Sequence, residues 1–378
     1  MYDTIIAGAG IAGSVIAREL AEGDGQKVLV LEQRNHIGGN CYDRADEHGI
    51  WIHQYGPHIF HTNNEDVFSY LSRFTEWNLF GHEVAANIWG TLIPVPFNLN
   101  TLYKVYNREK ANKLEKKLIQ FYGMESRVPI LELRKNKDKD IVEIADYVYK
   151  NIFLYYTMKQ WGKNPEEIDE AVTARVPIVI SYDNRYFADK YQGMPLHGYT
   201  KMFENILDHP NIEVKLNTRF TGLDSLSEGA NLVYTGALDE LLNYKFGTLP
   251  YRSLDFKFEY YEQEFYQQNS VVNYTVNEDF TRITEFKHLT GQMIKGTTIV
   301  KEYPKAYTGM QEEIPYYAIE NKESRKIYEQ YNSIVKDLDN FYLLGRLAEF
   351  KYYNIDAMVE KAIELAKRMI QKKNHRRN

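Results

Sequence analysis

The chain has 378 residues, 44% of them hydrophobic, which excludes wholesale disorder and exceeds what one core usually organises, so two or three domains are expected. Its 46 basic and 52 acidic residues give a net charge of −6, a poor balance for coating a phosphate backbone, so no nucleic-acid partner is expected. The single cysteine, Cys41, excludes an intramolecular disulfide framework and a cysteine-rich zinc site. No apolar run approaches the ~20 residues that span a bilayer, and Met1-Tyr2-Asp3 does not open a signal peptide. A cytoplasmic protein without membrane insertion is therefore expected.

Thr4 to Ala7 reads as a short buried strand, and Ile11 to Glu22 as a helix with Ile11, Val15, Ile16 and Leu20 on one face. Lys27 to Glu32 follows as a second buried strand, completing the β-α-β unit of a parallel sheet. Between the first strand and the helix, Gly8-Ala9-Gly10-Ile11-Ala12-Gly13 matches G-x-G-x-x-G. Gly8 permits the tight turn, Gly10 lets the backbone approach a pyrophosphate, and Gly13 lets the helix pack closely on the sheet. The helix start at Ile11 and Ala12 then presents N–H groups to the phosphates. Glu32, ending the second strand, is placed to accept from ribose hydroxyls. Gly38-Gly39-Asn40 follows it at the distance at which many flavoproteins bring a glycine pair against the cofactor, which favours FAD over NAD.

Of the five histidines at 36, 48, 53, 58 and 61, none stands in a metal-ligand spacing. Glu109 to Tyr122 and Ile141 to Tyr156 read as helices, joined by the solvated run Arg134 to Asp140. Asp138-Lys139-Asp140 mimics a metal-binding D-x-D, but it lies in a lysine-rich run with no buried strand before it, so no metal site is expected. Residues 251 to 303 alternate aromatic, Thr and Val positions with polar ones, the period of antiparallel strands. Phe341 to Leu344 reads as a strand broken by Gly345-Arg346, which looks like a second flavin contact, and Ile355 to Lys372 as an amphipathic helix. Ends that both look α/β, around unlike middles, suggest a discontinuous first domain. The expected fold is α/β. A Rossmann-like FAD-binding domain takes 1–80, 196–240 and 325–378, a helical insert domain 99–175, and an antiparallel β-sheet domain 81–98, 176–195 and 241–324.

Several segments together resemble the bacterial UDP-galactopyranose mutases. They are Tyr55 to Thr62 (YGPHIFHT), Pro94 to Leu99 (PVPFNL), Tyr156 to Gly162 (YTMKQWG), Tyr182 to Thr200, Thr281 to Phe286 (TRITEF) and Gly345-Arg346-Leu347, spanning nearly the whole chain in the family's order. The resemblance implies an isomerase with no net redox, supplying galactofuranose for surface polysaccharides by interconverting UDP-galactopyranose and UDP-galactofuranose. It further implies that FAD acts reduced, through a covalent adduct between its N5 and the sugar, and that the protein is a homodimer. Residue by residue, it implies that Arg175 and Arg282 neutralise the leaving diphosphate and that His58 lies beside the flavin N5. Gly39, Asn40, Pro57, Gly345 and Arg346 join the glycine motif and Glu32 as cofactor contacts. Tyr156, Thr157 and Trp161 match the segment that grips the uridine, while Tyr186, Asn273, Tyr316 and Tyr352 match contacts to the diphosphate or sugar. An arginine carrying a fixed guanidinium fork suits phosphate oxygens, so the two arginines also make chemical sense. Two positions depart from the family pattern: Asn354 stands where Asp is usual, and Ala237 where proline often follows Thr-Gly. His58, rather than an arginine, implies a preference for UDP-galactose over its N-acetylated analogue. A flavin oxidase of the amine-oxidase type shares the first domain but requires neither both arginines nor the Tyr156–Trp161 segment.

Overall fold

The computed structural model describes residues 1–164, 177–222, 229–310 and 313–377. It divides into two compact units, one of Met1–Leu79, Asp189–Tyr251 and Pro315–Asn378, the other of Phe80–Ala188 and Arg252–Ile314.

In the first unit, β1 (Thr4–Ala7) is buried along its whole length because it lies in the middle of a parallel sheet. The strand order is Ile212–Lys215, β2 (Val28–Leu31), β1, Asn231–Tyr234 and Phe341–Leu343, with Ile6 opposite Val30 on one side and Val233 on the other. Between β1 and β2 runs α1 (Ile11–Asp24), whose Val15, Ile16 and Leu20 are buried and which ends at Gly25, at φ 60. A second sheet seats Tyr191–Pro195 between Phe60–Thr62 and Trp77–Leu79. The strand Tyr191–Pro195 belongs to this unit, although residues 176–195 were assigned to the antiparallel domain. Gly193 permits the pairing, since a Cβ there would stand 2.4 Å from the Asn78 carbonyl oxygen.

The second unit holds strands in the order Tyr251–Tyr261, Thr297–Ala306, Arg282–Glu285, Val271–Tyr274, Val84–Ile88 and Thr91–Val95. All of these neighbours are antiparallel except Val271–Tyr274 with Val84–Ile88, which is parallel. Val84, Ala86, Ile93 and Val95 from the sheet share one core with Leu114, Leu118, Ile141 and Ile144 from the helical segment. Helices and sheet, expected as separate domains, thus bury their apolar faces on each other. The helix expected over 141–156 begins earlier, at Lys139–Val148, passes through a wide π-type turn at Tyr149–Leu154, and continues as Tyr155–Trp161. Asp138 caps it, accepting from the N–H groups of Asp140 at 2.9 Å and Ile141 at 3.3 Å, so the end of the expected loop is a helix start. Asp140 pairs with Lys113 at 2.8 Å and with Lys117. Among the described residues no helix is long and apolar enough to cross a membrane.

Glu285 is fully buried and serves the loop 262–270 of this unit. It accepts from the backbone N–H groups of Tyr266 (2.8 Å) and Gln267 (2.9 Å) and from the Thr297 hydroxyl (2.6 Å), and it pairs with His288 Nε2 at 3.2 Å. Burial pushes its carboxyl up, but these donors outweigh it and hold the group below its ordinary value. Burial likewise depresses His288, and the Glu285 carboxylate together with the Gln267 carbonyl, 2.9 Å from Nε2, more than restores it, so the imidazole titrates above its ordinary 6.5. Stability from His288 is therefore complete below pH 6.5 and is lost as pH rises through the raised value. Stability from Glu285 is complete above its ordinary 4.5 and is lost as pH falls through the depressed one. The pair thus contributes most between pH 4.5 and 6.5. In a thermal-unfolding series against pH, His288→Gln is expected to flatten the fall in Tm above 6.5; an unchanged slope assigns that fall to another group.

Candidate active site

The residues singled out in the sequence fall into two groups, one in each unit. In the first unit, Gly8 turns the chain at φ 112, and a Cβ there would stand 2.1 Å from Thr235 Oγ1. A Cβ on Gly13 would stand 1.9 Å from the Gly8 carbonyl oxygen, which is why α1 can start so close to β1. Gly38 and Gly39 take φ 90 and 56, and the Gly38 N–H donates to the Ala9 carbonyl at 2.8 Å. That bond brings the two glycine turns together, so that a Cβ on Gly39 would stand 3.0 Å from Gly10 Cα. Gly10 precedes α1 without a side-chain cap, and no acid occupies the first turn around Ile11 and Ala12. Glu32 is buried, and its carboxylate accepts from the N–H groups of Ala9 (2.8 Å) and Arg34 (2.9 Å), so it braces the loop it was expected to serve only through a ligand. Each of its oxygens retains a second lone pair. Arg34 bonds Asn40 Oδ1 at 2.9 Å and lies 4.5 Å over the Tyr55 ring, while its Nη1 is buried with no acceptor among the described residues. A glycine-lined cradle, an uncapped helix start and one guanidinium nitrogen without an acceptor among the described residues fit a dinucleotide.

His58 lies in the same unit and is half-buried. Its backbone N–H donates to His53 Nδ1 at 3.1 Å, and its own Nδ1 meets the Gly56 carbonyl at 3.0 Å across Pro57. Burial holds His53 below its ordinary value, so it is neutral and Nδ1 acts as the acceptor. His61 pairs with Asp189 at 2.7 Å. Asp43 is buried and caps the helix Tyr199–Leu207, accepting from the N–H groups of Tyr199 (2.6 Å) and Thr200 (2.7 Å). Gly345, at φ 120, donates its N–H to Glu349 at 3.0 Å, and Arg346 Nε donates to the Tyr353 carbonyl at 2.6 Å. The Arg346 guanidinium lies 4.4 Å over the Tyr352 ring. Of the adjacent tyrosines, Tyr316 is buried, whereas Tyr317 stacks on Tyr352 with centroids 6.3 Å apart.

In the second unit, Tyr156, Thr157 and Trp161 ride on the helix Tyr155–Trp161, with Thr157 buried and the two aromatics half-buried. Asn273 and Arg282 are directly opposite on neighbouring antiparallel strands. Arg282 is also opposite Glu302, a fully buried carboxylate that accepts from its Nε at 2.7 Å. Tyr186 donates its backbone N–H to the His82 carbonyl at 2.7 Å. Arg175 lies outside the described residues. Glu302 and Lys159 were missed in the sequence: one is an inward position of an alternating strand, the other a lysine beside an aromatic, and neither carries a local signal of what it holds.

The family model described as UDP-galactopyranose mutase matches residues 151–352, and one described as an NAD(P)-binding Rossmann-like domain matches 6–74. The chain is 36% identical to a dTDP-fucopyranose mutase of Escherichia coli, over 97% of this chain and 98% of that one. It is also 36% identical to a probable UDP-galactopyranose mutase of Klebsiella pneumoniae, over 96% of this chain and 93% of that one. A solved structure of reduced UDP-galactopyranose mutase superposes with a TM-score of 0.72, covering 98% of this chain and 94% of that one, at 14% identity, which bears on the fold alone.

The two glycines of the cradle separate packing from ligand approach. Gly13→Ala is expected to destabilise the protein by about 1–3 kcal/mol, because α1 must move off the Gly8 carbonyl. Gly10→Ala, whose Cβ meets nothing nearer than 3.7 Å, should keep its stability but lose bound dinucleotide. Denaturant unfolding and the absorbance of the purified protein read the two effects separately; equal stability in both variants contradicts the packing argument.

Proposed function

This chain belongs to the UDP-galactopyranose mutase family, and from that premise we propose that it interconverts the six- and five-membered ring forms of a nucleoside-diphosphate hexose, with UDP-galactose preferred. The observation that carries the reading is the likeness, over nearly the whole chain, to two sugar-nucleotide mutases. FAD, in its reduced state, would be held by Gly8, Gly10, Ile11, Ala12, Gly13, Glu32, Gly39, Asn40, Pro57, His58, Gly345 and Arg346. Bound there, it would supply an electron-rich nitrogen as nucleophile toward the anomeric carbon, with no net redox.

The remaining work falls to the chain's own side chains. Departure of the nucleotide places about two negative charges on a diphosphate, and Arg282, aligned by buried Glu302, offers a guanidinium set in direction before the substrate arrives. Arg175 is the second cation of this reading. Asn273 contributes an amide beside Arg282, and Tyr186, Tyr316 and Tyr352 contribute hydroxyls to the diphosphate or sugar. Tyr156, Thr157 and Trp161 grip the base and so retain the nucleotide while the sugar ring opens and recloses. In this reading His58, whose Nδ1 meets the Gly56 carbonyl, lies beside the reacting centre. A cytoplasmic homodimer that supplies galactofuranose to surface polysaccharides fits this role. The Escherichia coli relative makes dTDP-fucose the second substrate to test.

Purified holoenzyme incubated with UDP-galactofuranose, and separately with dTDP-fucofuranose, with and without dithionite, decides among these by chromatography of the sugar nucleotides. Conversion of UDP-galactofuranose to the pyranose under reduction alone is expected. Arg282→Ala should lower kcat/KM on the order of 10²–10³-fold. Faster conversion of the dTDP sugar reassigns the substrate, and a reduced, flavin-loaded protein that converts neither overturns the reading.

A further inference from the structure

We infer that Lys159 is a positioning residue of the nucleotide site: it fixes the Tyr155–Trp161 helix to the turn between the strands of Asn273 and Arg282, so that both move as one piece. This rests on the proposal that Tyr156, Thr157 and Trp161 grip the nucleotide and that Asn273 and Arg282 meet its diphosphate. Lys159 Nζ donates to three backbone carbonyls, those of Tyr274 at 2.6 Å, Glu278 at 3.0 Å and Phe280 at 3.0 Å. Tyr274 ends the strand Val271–Tyr274, and Glu278 and Phe280 lie in the turn that joins it to Arg282–Glu285. An ammonium carries three N–H donors on a single nitrogen, one for each of these converging acceptors, whereas the five donors of a guanidinium are spread over a planar fork. Burial works against the charge, and the Glu278 and Asp279 carboxylates work for it.

The helix is held on either side of Lys159 as well. Before it, in the π-type turn that leads into the helix, the Thr275 hydroxyl donates to the Asn151 carbonyl at 2.5 Å. After it, Arg252 donates through Nε to the Gln160 carbonyl at 2.9 Å and through Nη2 to the Lys159 carbonyl at 3.0 Å. Those are carbonyls of the last helical turn, which have no partner within the helix, and Gly162 ends it at φ 68. The contacts lie close to the residues they position. Tyr274 adjoins Asn273, and Phe280 is two residues before Arg282, so a turn released from Lys159 disturbs the diphosphate side and the base side together.

The test compares flavin-loaded Lys159→Met, Lys159→Arg and Trp161→Ala. Kd for UDP and for dTDP is measured on the oxidised holoenzyme by calorimetry, and kcat and KM under dithionite. Lys159→Met is expected to raise Kd for the tighter nucleotide, and KM, about ten- to a hundredfold, with a smaller change in kcat and unchanged flavin content. Lys159→Arg, whose planar fork serves fewer of the three carbonyls, should recover part of the loss. A wild-type Kd in Lys159→Met alongside a raised Kd in Trp161→Ala overturns the positioning role and leaves the grip standing. A wild-type Kd in Trp161→Ala removes the grip itself, and the inference with it. Should Lys159→Met not fold, Arg252→Met, which frees the other end of the same helix, takes its place, and a wild-type Kd there is equally fatal.

Discussion

Loops and helix starts have no repeating ladder to pair their backbone groups, and in this chain buried or half-buried acidic and basic side chains pair several of them instead. Glu32 takes the N–H groups of Ala9 and Arg34, and Asp43 those of Tyr199 and Thr200. Glu285 takes those of Tyr266 and Gln267. The cations do the same for carbonyls: Lys159 fills three, and Lys287, which is buried, fills those of Glu264, Ile294 and Gly296. A buried polar group left unpaired costs about 1–3 kcal/mol, and a buried charge more. Each of these contacts removes both penalties at once, and each fixes a loop that would otherwise sample many conformations. A conservative exchange of such a side chain therefore loosens a loop rather than a core.

The same device acts on Arg282. Its neighbours across the sheet are Asn273 on one side and Glu302 on the other, so strand register alone brings the three together. The bond from Nε to a fully buried carboxylate turns the guanidinium to one orientation. An arginine whose direction is fixed beforehand loses little freedom when an anion meets it, and catalytic electrostatics gains from such preorganisation. The carboxylate reduces the net positive charge of the group; what it adds is direction.

What the sequence made legible is what is encoded locally. The glycine motif, β1, α1 and β2 announce themselves through spacing and periodicity within thirty residues, and the helix Arg108–Tyr122 through its apolar stripe. The ordered set of motifs carried the family. Contacts between distant segments were not legible. Nothing local marks Lys159 as more than a surface lysine, whereas the structure half-buries it and gives it carbonyls more than a hundred residues away. The π-type turn at Tyr149–Leu154 was also invisible, since one residue of extra winding leaves the apolar pattern nearly continuous while changing which side chains of the next helix are covered: Thr157 is buried and Tyr155 and Met158 are exposed. The strand Tyr191–Pro195 has neither alternation nor length, and it exists because Gly193 admits the neighbouring backbone.

Asn354, where the family usually has an aspartate, can be weighed on the same terms. Its carbonyl accepts from the Met358 N–H at 3.1 Å, a bond that does not depend on which side chain precedes the helix Ile355–Arg377. The first turn of that helix carries its own acid, Asp356. One oxygen accepts from the Ala357 N–H at 2.7 Å and the other from the Thr62 hydroxyl at 3.0 Å, in the strand that also bears His61. A carboxylate at a helix N-terminus gains roughly 0.3–1 kcal/mol from the aligned peptide dipoles. The helix therefore keeps both its backbone pairing and its N-terminal negative charge, and the exchange at 354 leaves that charge two residues inside the helix, where Thr62 holds it in place.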